Sequence, residues 1–259
     1  MDLGIAGRKA IVCASSRGLG RACAQALAEA GCAVVVNGLD AARLEATAAE
    51  LRKATGAKVA AVKADVATAE GQAALYAACP EPDILVNNNA GPPPRPFREL
   101  TRAQMIDGVI ANMVAAIELT QRAIGGMVAR RFGRIVNITS GTVKLPQAGL
   151  DLSSAARGGL TIFLAAVARE AAASNVTINN LLPGAFETDR IKTVLGAIAK
   201  RKGISYDEAK AERIASIPAK RVGEVAEFGA ACAFLCSAQA GFITGQNLVI
   251  DGGAFPGAL

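Results

Sequence analysis

Two short stretches hold residue types able to act on a small molecule. "CASSRGLGRACAQALAEAG" follows the apolar run "KAIVCA" and opens a helical pattern, so its glycines lie between a strand and a helix. Gly18 and Gly20 there let backbone approach a pyrophosphate, whose charge a helix N-terminus attracts. The second stretch, "AGLDLSSAARGGLTIF" at 148–163, offers the hydroxyl of Ser153 and the permanent cation of Arg157, with no tyrosine, histidine or lysine. A serine hydroxyl is a much weaker acid than a phenol of pKa about 10, so Ser153 is a poor proton donor unless it relays through water. Serine also favours helix N-caps, and Ser153 ahead of "AARGGLTIF" reads as one. The chain has no histidine, which removes a Ser-His-Asp triad and most zinc chemistry, and no metal site is expected. Its six cysteines form no C-x-x-C pair, and several sit in apolar segments as reduced core thiols.

These residues need a scaffold, and the chain supplies one. With 259 residues, 52% hydrophobic and 19% charged, it buries a large core, and no linker or low-complexity run divides it. One domain over 1–259 is expected. Apolar runs of strand length, "KAIVCA", "CAVVVN", "KVAAVKA", "DILVNN", "GRIVNITS", "VTINNLLPG" and "NLVIDGG", alternate with alanine-rich helical stretches. That pattern predicts an α/β, doubly wound Rossmann fold with a seven-stranded parallel sheet flanked by helices. "DAARLEATAAELRKAT" reads as an exposed helix with Asp40 as N-cap. Stretches 101–131 and 152–174 are apolar nearly all round and carry Gly125, Gly126, Gly158 and Gly159, which predicts a homo-oligomer, dimer or tetramer, packed through these helices. Segment 184–220 is charged and helical; it is either a substrate lid at the carboxyl edge of the sheet or a long solvated excursion.

The net charge of +6 comes from scattered basic residues without an aromatic platform, so nucleic acid is not an expected partner. No uninterrupted apolar run reaches the roughly 18 residues of a membrane span, and the start lacks a signal-peptide pattern. A cytoplasmic protein with no membrane partner is expected.

"SSRGLG", "DILVNNNAG", "GRIVNITS", "NNLLPGAFET" and "FITGQNLVIDGG", in that order, resemble the short-chain dehydrogenase/reductase family, in its 3-oxoacyl-(acyl carrier protein) reductase-like branch, from Leu3 to Gly253. The resemblance implies a dinucleotide on the loop of Ala14, Ser16, Arg17, Gly18, Leu19 and Gly20, where Cys13-Ala14 replaces the family's Thr-Gly. It also implies adenine beside Asp65 and Val66, and ribose beside the turn holding Asn88, Ala90 and Gly91. "NNNAG" aligns either as NNAG at 88–91 or with Asn89 and Ala90 in place of Ala and Gly. Pro183, Gly184 and Thr188 fall where the family holds the carboxamide. At the end of the second strand, where a carboxylate would bind the 2′-OH of NAD, the chain reads Asn37-Gly38-Leu39, with Asp40 too late. Arg17 matches a basic position of NADP-preferring members, or is a solvated charge. NADP(H) is favoured and NAD(H) remains open.

The family's catalytic Asn, Ser, Tyr and Lys fall on Asn112, Ser140, Ser153 and Arg157 of this chain, so the motif reads Ser-x-x-x-Arg. The resemblance implies that Asn112 holds a relay water, Ser140 binds substrate oxygen and Arg157 fixes the nicotinamide ribose. Tyr76 belongs to a remote helix and Tyr206 to the lid's solvated face. The expected activity is hydride transfer between nicotinamide and a small carbonyl or alcohol substrate. A dinucleotide-binding protein with little or no turnover, serving as sensor or oligomeric partner, is the alternative. A substrate needing no strong acid, such as an activated imine or enone, is a third reading.

Overall fold

The Val/Ile/Leu runs become strands buried on both faces of one sheet, as a parallel sheet covered by helices requires. A computed structural model describes residues 2–257. The first half runs β1 (Lys9–Val12), α1 (Gly18–Glu29), β2 (Ala33–Gly38), α2 (Ala41–Thr55), β3 (Val59–Lys63), α3 (Ala69–Ala78) and β4 (Ile84–Asn87). The second runs α4 (Arg102–Val109), α5 (Ala115–Ala129), β5 (Gly133–Ile138), α6 (Asp151–Ala171), β6 (Val176–Pro183), α7 (Asp189–Lys202), α8 (Tyr206–Ser216), α9 (Val225–Cys236) and β7 (Asn247–Ile250).

All seven strands pair in parallel in the order β3-β2-β1-β4-β5-β6-β7. The order reverses between β1 and β4, and at such a switch point the strand ends diverge and leave a crevice. One core, with Leu27, Leu44, Phe228 and Cys232, lies under α1, α2 and α9. The other, with Leu75, Met127, Leu160 and Leu164, lies under α3, α5 and α6. All six cysteines are free and buried.

A ladder of asparagines ties the second half together. Asn87, Asn137, Asn180 and Asn247 stand in register on β4 to β7. Asn87 Nδ2 donates to Asn137 Oδ1 at 2.9 Å, Asn137 Nδ2 to Asn180 Oδ1 at 2.9 Å, and Asn180 Nδ2 to Asn247 Oδ1 at 2.8 Å. Paired amides in a dry sheet hold the strand ends rigidly, because a lost partner would leave a buried polar atom unmade.

Asp40 caps α2 as its spacing predicts, accepting from Arg43 N at 3.1 Å. Ser153 does not cap α6: the helix begins two residues earlier at Asp151 with Leu150 as N-cap, so the serine lies within its first turn. The long apolar segment becomes α4, a π turn at Ile110–Val114 and α5 without a break. Helix Arg102–Ala129 is thereby long and apolar enough, by length and composition, to cross a membrane, a property its interrupted apolar runs conceal. Gly159 meets Met113 Sδ at 2.9 Å from its would-be Cβ, so it serves helix packing within the chain; nothing stands near Gly125 or Gly158. Segment 184–220 is mostly α7 and α8, tied back by a bridge between Phe186 and Gly223.

Candidate active site

The crevice is an open cleft of about 1640 Å³ running from the start of α1, past the ends of β4 and β5, to α7. At one end the loop after β1 is fixed from several sides. Ser15 Oγ donates to Val12 O and accepts from Asn37 N, and Thr47 Oγ1 donates to Ser16 O. Ala14 holds φ +44°, a left-handed conformation that glycine adopts at no cost and alanine only with strain. A Cβ at Gly20 would lie 2.4 Å from Ala14 O and 2.9 Å from Asn88 Nδ2, so only glycine fits there. The first N–H groups of α1, at Gly18, Leu19 and Gly20, have no carbonyl inside the helix to bond. No acidic residue occupies that turn, which leaves its positive dipole end for an anion.

Asn37 lines the same cleft at the end of β2. It is buried, both its amide hydrogens go to Val62 O and Ala64 O, and its Oδ1 accepts from Ala14 N. It braces the loop from within. The exposed residue at the end of β2 is Leu39, and the nearby carboxylate, Asp40, is turned to its own helix. Arg17 ion-pairs with Asp189 of α7 at 3.0 Å, both side chains exposed. Asp65, Val66, Asn88, Ala90 and Gly91 line the same cleft. Thr188 packs its methyl 3.7 Å from the would-be Cβ of Gly18, bringing the end of β6 over the loop. Gly184, after Pro183, lets β6 approach Asp251, whose Cβ stands 2.5 Å from a Cβ built there.

At the other end, side chains replace backbone. Ser140, in extended backbone after β5, accepts from Thr142 N at 3.2 Å and Thr142 Oγ1 at 2.9 Å, which leaves its own hydrogen to donate. Arg157, 8% exposed, donates from Nη1 to Ile138 O at 2.6 Å, from Nη2 to Asn89 O at 3.1 Å and from Nε to Ser153 Oγ at 3.3 Å. Three of its five N–H groups are thus committed, and two of them clamp the ends of β4 and β5. Burial, and next the charge of Arg190, push the Arg157 guanidinium down to about 10. Asn112 sits in the π turn, where the extra residue re-aims side chains. Its Nδ2 reaches Gly108 O at 3.4 Å and Ala90 O at 3.5 Å, while its buried Oδ1 has no partner among the described residues. That orphan oxygen suits an ordered water.

Sequence reasoning missed Arg190. Its Nη2 donates to Pro92 O at 3.1 Å and stands 3.4 Å from the would-be Cβ of Gly91. It lies two residues after Thr188 in "PGAFETDR", and only the fold carries α7 back over the loop after β4. Of the tyrosines, Tyr76 is locked on Leu119 O at 2.5 Å away from the cleft, and Tyr206 begins α8 outside it.

A family model described as enoyl-(acyl carrier protein) reductase matches residues 13–254. The NADPH-dependent reductase BacG of Bacillus subtilis (strain 168) is 31% identical over 95% of this chain and 97% of its own. The 3-oxoacyl-[acyl-carrier-protein] reductase FabG of Aquifex aeolicus (strain VF5) is 32% identical over 98% and 100%. Among solved structures, L-sorbose reductase from Gluconobacter frateurii complexed with NADPH and L-sorbose superposes with TM-score 0.92 at 27% identity, over 99% of this chain and 100% of that one.

Proposed function

The chain belongs to the short-chain dehydrogenase/reductase family, and from that premise we propose an NADP(H)-dependent oxidoreductase that moves a hydride between nicotinamide and a small carbonyl or alcohol substrate. The observation that carries this reading is one continuous cleft. It joins a glycine-lined helix N-terminus to the cluster of Ser140, Ser153 and Arg157.

The residues present fit a dinucleotide. The first turn of α1 and the close approach at Gly20 would hold the pyrophosphate, with Asp65, Val66, Asn88, Ala90 and Gly91 along the adenosine side. Pro183, Gly184 and Thr188 would hold the carboxamide. NADP(H) is favoured over NAD(H) because no carboxylate faces a ribose at the end of β2, and Arg17 can leave an exposed ion pair for a 2′-phosphate. Bound nicotinamide supplies or accepts the hydride. Ser140 presents a free hydroxyl hydrogen to the substrate oxygen, Asn112 holds water, and Arg157 has two N–H groups left for ribose hydroxyls. Helices α7 and α8 form a lid. Exposed Met105, Ile106, Ile162 and Phe163 on the long helices fit a homo-oligomer interface, which light scattering of the purified chain would measure.

The test is titration with NADPH and NADH, then NADPH oxidation with a short β-ketoacyl thioester and a carbonyl panel. Binding with turnover is expected. Binding without turnover would favour the dinucleotide-binding reading, and no binding of either nucleotide would end both.

A further inference from the structure

Resting on that oxidoreductase reading, we propose that the substrate is an oxo acid or the corresponding hydroxy acid, and that Arg190 binds its carboxylate against the Ser153 hydroxyl and the Arg157 charge. Three groups converge beside the loop after β4. Arg190 Nη2, Ser153 Oγ and Arg157 Nη2 lie 3.4, 3.6 and 3.8 Å from one point, the would-be Cβ of Gly91. All three residues line the cleft, and glycine at position 91 leaves that point open.

The donors at this point have no anion of their own. Arg190 makes one bond among the described residues, from Nη2 to Pro92 O at 3.1 Å, so four of its five N–H groups have no partner there. Arg17, Arg21 and Arg43 also line the cleft, and each faces a carboxylate: Asp189, Glu50 and Asp40. Arg157 and Arg190 face none among the described residues. Asp189, next to Arg190 in the chain, is turned to Arg17, and Asp65 and Asp251 spend their carboxylates on backbone N–H groups of their own loops. Two like charges held side by side repel, and burial adds to the cost at Arg157. A bound anion relieves both costs.

A carboxylate suits these donors in number and shape. Its two oxygens match the planar fork of Arg190, and Ser153 Oγ, which accepts from Arg157 Nε at 3.3 Å, has a hydrogen that meets no acceptor among the described residues. The phosphates of a dinucleotide have the N-terminus of α1 at the other end of the cleft, which leaves this cluster to the substrate. Arg157 ties Ser153 to the end of β5, two residues before Ser140, so the carboxylate lies close to the carbonyl that Ser140 holds. Leu150, three residues before Ser153, and Val194 and Ile198, which follow Arg190 at intervals of four along α7, add apolar surface for the rest of the molecule. In reduction the hydride's electron pair forms the new C–H bond, the carbonyl π pair moves to oxygen, and that oxygen gains one proton from the medium. The carboxylate is unchanged; its part is to orient the carbonyl. A neutral thioester would leave Arg190 without an anion.

Calorimetric titration of the full chain saturated with NADP+, a complex in which an oxo acid cannot be reduced, measures the carboxylate's contribution directly. The probes are 2-oxohexanoate, 3-oxohexanoate and their methyl esters. At least one acid should bind about 50-fold more tightly than its ester, the size of a lost charge-assisted pair. Arg190 is exposed at the start of α7, so its variants should fold. Arg190→Gln should erase the preference for the acid, and Arg190→Lys should keep part of it, because the charge remains without the fork. NADP+ affinity should hold in both. Esters that bind the wild-type protein as tightly as their acids overturn the proposal. So does an Arg190→Gln protein that loses NADP+ affinity and keeps the acid preference, which would assign the arginine to the dinucleotide's phosphates. Acid binding that depends on Arg190, with no NADPH oxidation by any carbonyl, leaves the carboxylate site standing and overturns the oxidoreductase reading alone.

Discussion

The two ends of the cleft are built by different means. At the proposed phosphate end the free donors are backbone N–H groups of α1, beside a loop held by the contacts of Ser15, Asn37 and Thr47. Side-chain identity matters there mainly where a side chain must be absent, as at Gly20. At the other end the groups are Ser140, Ser153, Arg157 and Arg190, placed by three elements: the turn after β5, α6 and α7. A backbone site tolerates exchange of most of its side chains, whereas a side-chain site changes character with each one. On the proposed function, a dinucleotide cradle made of backbone is therefore compatible with Ser153 and Arg157 at the other end of the cleft.

The comparison breaks most visibly if the rigid floor of the reacting end is removed. Asn137→Leu would orphan Asn180 Oδ1 and take a partner from Asn87 Nδ2, both inside the sheet. Each buried polar group left unmade costs about 1–3 kcal/mol, so a loss of about 3 kcal/mol is expected. For a chain of this size that is roughly 6–12 °C in Tm by calorimetry. A fall this large with nucleotide affinity retained would show the ladder serving one end of the cleft.

The converse substitution attacks the phosphate end. Gly20→Ala puts a methyl 2.4 Å from Ala14 O, a backbone atom that cannot yield cheaply. Overpacking of this kind costs about 1–3 kcal/mol, and NADPH affinity should fall by about 100-fold, read by fluorescence titration. The hydrogen bonds of Arg157 at the other end should survive unchanged, because nothing at Gly20 touches it.

The same division governs what was legible in the sequence. The strands and the glycine turn between β1 and α1 were readable because apolar runs of strand length and a glycine pair after a strand follow from local chemistry. Asp40 was readable for the same reason. The bracing role of Asn37 was not legible, because which face of β2 its side chain takes depends on the loop it holds. Ser153 resembled a cap because α6 starts three residues further upstream than a cap there requires. Arg190 and the clamp on Ile138 O and Asn89 O were invisible: they join α6, α7 and two strand ends far apart in the chain, and no local pattern encodes such a meeting.

A smaller effect sharpens the cofactor assignment. Arg17→Ala should weaken NADPH about tenfold, or about 1.4 kcal/mol, and leave NADH unchanged. Its pair with Asp189 is exposed on both sides, where such bridges contribute about 0–1 kcal/mol, so Tm should hardly move. Equal loss for both nucleotides would mean that Arg17 serves the pyrophosphate instead.

The smallest effect concerns the one residue at the phosphate end whose side chain works against its conformation. Ala14 sits at φ +44°, where the added methyl opposes the carbonyl that follows. Ala14→Gly removes that opposition but frees the unfolded chain, so the gain is the difference of two terms near 1 kcal/mol each. A stabilisation of about 0.5 kcal/mol is expected, with nucleotide affinity the same or slightly tighter. If the loop were instead held by the alanine methyl, the substitution would loosen it and both quantities would fall. Ala14 N donates to Asn37 Oδ1 and Ala14 O accepts from Asn88 Nδ2, and neither bond involves the Ala14 methyl, so the loop should keep its shape when the methyl goes.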